Sequence, residues 1–122
     1  MKAAQPGLGL PAMDEVERLL RRLAINDEES VGMVLSNGSA LAGAPVLPRK
    51  VDLLVRLGAL VALGAATSSL RTTVRQALEA GATEAEIVGV VIAVAPAVGL
   101  ARVVSSARRL ALAIGYDIEA DE

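Results

Sequence analysis

The chain has 122 residues, of which 53% are hydrophobic and 21% charged, with a net charge of −2 at neutral pH. That composition describes one globular domain rather than a disordered segment. Cysteine and histidine are both absent, which excludes disulfides, thiol redox cycles, cysteine-ligated metals and a histidine general base.

Tyr116 is the single aromatic residue, and no basic stripe is dense enough to track phosphates. Nucleic-acid binding is therefore not expected. The uncharged, wholly apolar run of residues 87–101 contains Pro96 and falls short of the ~20 apolar residues of a membrane span. The opening MKAAQPGLGLPAMDE lacks the sustained apolar stretch of a signal peptide. The expectation is a soluble, cytoplasmic chain without a cofactor or a metal.

Residues 1–10 read as a loose arm. Pro11 then opens a first helix that runs to about Ala24, with an apolar stripe of Val16, Leu19, Leu20 and Leu23. Glu17 and Arg21 form a favourable i,i+4 pair. Asn26 followed by Asp27, Glu28 and Glu29 reads as an N-cap with acid in the first turn. Adjacent helical acids do not converge on one ion, so a cap is preferred to a metal site. Val31, Val34 and Leu35 continue a short second helix that Ser36, Asn37, Gly38 and Ser39 stop. Residues 37–47 form a Gly-, Ala- and Pro-rich connector.

Pro48 starts a third helix that reaches about Gly64 and buries Leu53, Leu54, Leu57, Leu60 and Val61. Asp52 and Arg56 are four apart with the acid first, the better order for a helical ion pair. Thr67 caps a fourth helix, in which Leu70, Val74, Ala77 and Leu78 recur on one side. Gly81 sits where a helix ends in a left-handed turn. Thr83 and Glu86 then spell a capping box for a fifth helix. From residue 87 to 101 that helix is apolar on every side, so every side must be covered. The last helix runs from about Leu100 to Ile114 through Val103, Ala107 and Leu110, with Arg108 and Arg109 near its end and Gly115 after it. Residues 116–122 are an acidic tail. No strand alternation or hairpin turn is present, so the fold class is all-α, a single helical domain over residues 11–115.

The run LRTTVRQALEAGATEAEI resembles the core signature of the carboxymuconolactone decarboxylase family, which includes alkyl hydroperoxidase D-like proteins. The shared elements are Leu70, Arg71, Val74, Arg75, Ala77 and Leu78, then Gly81, Ala82, Thr83, Glu86 and Ile87, with Gly99 following. The resemblance covers roughly residues 48–114. It implies an alkyl hydroperoxidase D-like helical fold with a central antiparallel helix pair, and dimers assembled into trimers or hexamers. It also implies a CxxC pair and a histidine on the fourth helix. Counting back from Gly81, those positions hold Ala66, Ser69 and Thr73. A tyrosine used by the decarboxylase branch is replaced by Ala97. Every reactive group that the resemblance leads one to expect is missing.

The remaining candidates are Arg56, Arg71 and Arg75. Arg56 could anchor a substrate carboxylate, but Asp52 already offers it a partner. Arg71 and Arg75 occupy successive turns and could bind an anion together, although such a line is more often a solvated face or a subunit contact. Thr73, near Ser69, lacks the base a hydroxyl nucleophile needs. Two readings follow. One is an oligomeric small-molecule-binding or scaffold protein without thiol or histidine catalysis. The other is a cofactor-free enzyme, of decarboxylase or isomerase type, acting on a small acidic or lactone-like substrate.

Overall fold

A computed structural model of the chain describes residues 13–37 and 47–117. The N-terminal arm, the start at Pro11, most of the connector and the tail after Asp117 lie outside the described residues. The described residues form six helices and no strand, so the all-α class stands. The chain divides into two compact units, Met1–Leu47 and Pro48–Glu122.

The first unit contains α1 (Met13–Ala24) and α2 (Glu28–Asn37). Acids in the first turn of α1 and arginines in its last complement the helix dipole. Arg18 and Arg21 pair with Asp14 and Glu17 one turn earlier, at 3.5 and 2.7 Å. Val16, Leu19 and Leu23 are half-buried, but Leu20 faces out.

The cap between these helices differs from the sequence expectation by one residue. Asn26 has φ 61° and ends α1 in the left-handed region. Its N–H donates to the Leu23 carbonyl, and that of Asp27 reaches back to the Arg22 carbonyl, the bonds of a Schellman ending. Asp27, not Asn26, then caps α2 by accepting the Ser30 N–H at 3.0 Å. Asparagine tolerates the left-handed region better than most residues, which decides which of the two ends and which begins. Hydrogen bonds from Ser30 hold the Asp27 carboxyl below the usual carboxylate range.

The second unit contains α3 (Arg49–Leu63), α4 (Thr67–Glu79), α5 (Glu84–Val98) and α6 (Leu100–Ile114). The strongest packing is α4 on α6, then α3 on α4 and on α5, then α5 on α6. The four helices thus form a ring in the order α3, α4, α6, α5. The two that meet at the signature corner, α4 and α5, share little contact. Each instead packs between α3 and α6.

Leu53, Leu57 and Val61 repeat every four residues on α3 and are almost completely buried. Leu70, Val74 and Ala77 face them from α4, Ile87 and Val91 from α5, and Leu110 from α6. Burying one such aliphatic side chain contributes about 1.5–3 kcal/mol. Leu78, expected inside, is exposed. Ala107 is exposed too, and Ser106 takes the inward position on α6. The corner is as its residues imply. The Thr83 hydroxyl accepts the Glu86 N–H at 3.0 Å, and the Glu86 carboxylate accepts the Thr83 N–H at 2.9 Å.

α3 ends at Gly64, whose φ of 71° lies in the left-handed region. A Cβ there would also collide with the guanidinium of Arg102 on α6. The backbone conformation opposes any larger residue by roughly 1–2 kcal/mol, whereas the flexible Arg102 tip can move aside. Gly64→Ala is therefore expected to lower stability by at least about 1 kcal/mol. Urea denaturation checks this, and an unchanged midpoint would count against the described ending of α3.

Candidate functional site

The sequence-derived candidates converge on α4, so its geometry decides what they can form. α4 begins after the extended Ala66, which makes no side-chain cap. Thr67, expected as the cap, is instead the first helical residue. At ~100° per residue, Ser69 and Thr73 share one flank of the buried stripe and Arg71 and Arg75 share the other. Arg71 lies about 200° around the axis from Thr73. These four residues cannot line one pocket of a single chain.

Ala66, Ser69, Arg71, Arg75 and Ala97 are all exposed, and Thr73 is half-buried. Arg56 is exposed and bound to Asp52 at 3.2 Å. Asp52 also attracts Arg49, at 3.7 Å. The helical ion pair anticipated for Arg56 is therefore present, and no other candidate residue shares in it. Arg71 and Arg75 meet no carboxylate among the described residues.

A second group adjoins Ala66, and it was not anticipated. The loop Gly64–Ala65 between α3 and α4 is gripped by α6. Arg109 donates to the Gly64 carbonyl at 3.1 Å and, more weakly, to that of Ala65 at 3.5 Å. The buried Ser106 hydroxyl donates to the Val61 carbonyl at 3.2 Å. Arg102 lies against Gly64 and meets no carboxylate among the described residues. Two guanidinium groups thus stand at the loop that opens α4. The spacing 102, 106, 109 places three polar side chains on one face of a helix. That was the available signal, and it was masked by the apolar pattern of Val103, Ala107 and Leu110.

At the other end of the unit, Lys50 of α3 reaches Glu86 at 3.1 Å and sets the starts of α3 and α5 side by side. The Thr83 N–H and then Lys50 hold the Glu86 carboxyl below its usual range. The Tyr116 hydroxyl donates to Glu84 at 2.7 Å and ties the end of α6 to the first turn of α5.

The family model for the Carboxymuconolactone decarboxylase family matches residues 32–113. The chain belongs to that family. The match begins within α2, earlier than the resemblance read from the sequence, and takes in almost all of the four-helix unit. No curated protein and no solved structure matches the chain. No helix among the described residues is long and apolar enough to cross a membrane.

Thr73 forms no hydrogen bond among the described residues, so Thr73→Ala removes a small side chain and strands no partner. The expected change is under ~1 kcal/mol in urea denaturation. A loss above ~2 kcal/mol would show that the hydroxyl satisfies a buried group.

Tyr116 offers an independent test of the α5–α6 tie. Its hydrogen bond to Glu84, made only by the protonated phenol, raises its pKa above the ordinary phenol value, and the Glu84 charge adds to this. A raised native pKa gives stability that is full below the ordinary phenol range and lost as pH climbs through the native value. As the single tyrosine, it is titrated directly by tyrosinate absorbance. The midpoint should lie above that of the urea-unfolded chain and move toward it in Glu84→Gln. Identical native and unfolded midpoints would contradict the tie.

Proposed function

We propose that the chain is a member of its family that binds a small molecule as an oligomer, without thiol or imidazole chemistry. The observation that carries this reading is the start of α4. Ala66, Ser69 and Thr73 stand where the resemblance leads one to expect two cysteines and a histidine, and the sequence contains neither residue type. Reduction of a peroxide or disulfide by a thiol centre needs a thiolate. A serine or threonine hydroxyl needs a base, and the only lysines are Lys2 and Lys50, outside α4.

Binding is what the remaining groups suit. The exposed Ser69 hydroxyl and half-buried Thr73 lie on a helix whose opening loop is met by Arg102 and Arg109 of α6. A guanidinium pairs with planar oxyanions through two parallel hydrogen bonds. A small carboxylic acid is accordingly the favoured ligand class. Arg71 and Arg75, on the far flank of α4, belong to a separate surface.

The oligomeric part is supported by the outer surface of the four-helix unit. Val91 is turned inward, yet Ile92 is 70% exposed and Leu100 78%. Soluble monomers seldom leave contiguous apolar patches of more than several hundred Å² uncovered. A dimer, or dimers assembled into trimers or hexamers, would cover it. The second reading, a cofactor-free enzyme on an acidic or lactone-like substrate, draws on the same arginines as electrostatic stabilisers.

Two measurements separate these. Purified protein should show no thiol-dependent peroxide turnover with lipoyl or thioredoxin-type reductants, and turnover above a heat-killed control would sink the proposal. In thermal-shift assays against small carboxylates and lactones, at least one carboxylate should raise the Tm of wild type and not of Arg102→Gln. Consumption of a lactone during the assay would favour the enzymatic reading instead.

A further inference from the structure

A single residue, Gly99, joins α5 to α6. Its N–H donates to the Ala95 carbonyl at 3.0 Å and closes α5, while its own carbonyl accepts the Val103 N–H at 3.1 Å and opens α6. Its φ of 90° and ψ of 161° lie in a region essentially closed to residues with a side chain. An added Cβ would meet nothing within 4 Å, so the glycine answers to the backbone conformation and not to crowding. Glycine itself occupies positive and negative φ about equally well, so this joint has a second setting open to it. Pro96, inside the last turn of α5, removes the helical bond that the Ile92 carbonyl would accept and loosens the same corner.

Beyond the joint, α6 is held unevenly. From Ser106 onward it is anchored by Ser106 on the Val61 carbonyl, Arg109 on the Gly64 carbonyl and Tyr116 on Glu84. Ahead of that grip, Leu100, Ala101, Arg102 and Val104 are exposed, and Val103 is half-buried against the core. Arg102 makes no hydrogen bond or ion pair among the described residues. Its guanidinium lies where the Cβ of a larger residue 64 would stand. Gly64 thus gives the tip a seat without giving it a bond, and all five of its N–H donors stay free for another partner. A helix end with so few buried contacts opens at a small fraction of the cost of global unfolding.

We propose that the first turn of α6, residues 100–103, is a clasp that winds and unwinds about Gly99 and so carries Arg102 on and off the loop that opens α4. In the wound state Gly99 holds its positive φ, Val103 bonds back to it, and the guanidinium is seated on Gly64. In the unwound state Gly99 relaxes to the negative φ that other residues share, the Val103 bond is lost, and Arg102 moves into water. Arg109 stays on its carbonyls in both states. A carboxylate at the opening of α4 meets Arg102 in the wound state alone, and a ligand shifts a two-state equilibrium toward the state it binds better. The acid would then close the clasp on itself. Only that coupling rests on the ligand reading above. The clasp itself rests on Gly99 and on the loosely held turn after it.

Because the chain has no cysteine, two introduced thiols carry nitroxide labels at chosen positions. Leu63 and Leu100 are 75% and 78% exposed, and the contact of Arg102 with Gly64 places them on either side of the moving turn. Pulsed electron paramagnetic resonance on Leu63→Cys/Leu100→Cys should show a narrow short distance and a broad longer one. The pair Leu63→Cys/Leu112→Cys, with both labels on anchored helix, should show a single distance. Adding Gly99→Ala should remove the narrow population, since only the wound state needs the positive φ. Benzoate or acetate should enrich the narrow population, and Arg102→Gln should abolish that response. One narrow distance in the cysteine pair without further change, or an unaltered distribution in Gly99→Ala, would overturn the proposal. If Gly99→Ala loses its helical circular dichroism, the contrast between the two labelled pairs decides. Two populations that neither acid shifts would support the clasp and count against the ligand reading.

Discussion

The end of α3 is the point on which the four-helix unit depends. α3 supplies three of the most deeply buried side chains, Leu53, Leu57 and Val61. A helix driven that far into a core brings its unpaired C-terminal carbonyls with it. The backbone settles part of the demand, since the Ala65 N–H reaches the Leu60 carbonyl at 3.0 Å and the Gly64 N–H that of Val61 at 3.2 Å. α6 adds a second donor to Val61 through Ser106 and serves the following loop carbonyls of Gly64 and Ala65 through Arg109. A buried acceptor left unpaired costs about 1–3 kcal/mol, comparable to the burial of a large aliphatic side chain. The same bonds fix α6 along α3. They thereby bring Leu110 into the core and set the place from which α4 departs.

The sequence made the helices legible because their signals are local. Thr83 and Glu86 are three residues apart, and the capping box they spell is present atom for atom. The pairs Asp52–Arg56 and Glu17–Arg21 are likewise read from spacing alone. Legibility fails where two local roles compete for one place or where the partner is distant in sequence. Asn26 and Asp27 are both good caps, and only the backbone conformation divides the ending of α1 from the start of α2 between them. Arg109 reads as a cation at the end of its own helix. It serves the end of another helix, forty-five residues earlier in the chain. Ser106 reads as a polar interruption of an apolar stripe, yet it belongs in the core because a carbonyl there needs a donor.

The candidate site was legible as a set of positions and not as an arrangement. Alignment to the signature finds Ala66, Ser69, Thr73 and Ala97, and the absence of cysteine and histidine removes the associated chemistry without any structure. Helical geometry then separates residues that a linear reading groups together. Arg71 and Arg75 flank the signature and look like natural partners for Thr73, but they project from the opposite side of α4. The cations that do stand beside Ala66 come from α6, some forty residues downstream, and their placement follows from the grip on α3. The contact that stabilises the fold is thus also the one that brings positive charge to the opening of α4.

Polarity divides the unit in a way the uncharged run alone does not express. A helix without charge over residues 87–101 suggests burial all around, whereas α5 is buried only along Ile87 and Val91. A ring of four helices offers each member two neighbours, which cover its inner half and leave its outer half open. For α4 the outer half is hydroxylic and charged. For α5 it consists of alanine, glycine, valine, isoleucine and Pro96. The two helices join at a corner and differ little in burial of their inner stripes. The difference between their outer halves is one of polarity alone, with hydroxyl and charged groups on α4 and apolar side chains on α5.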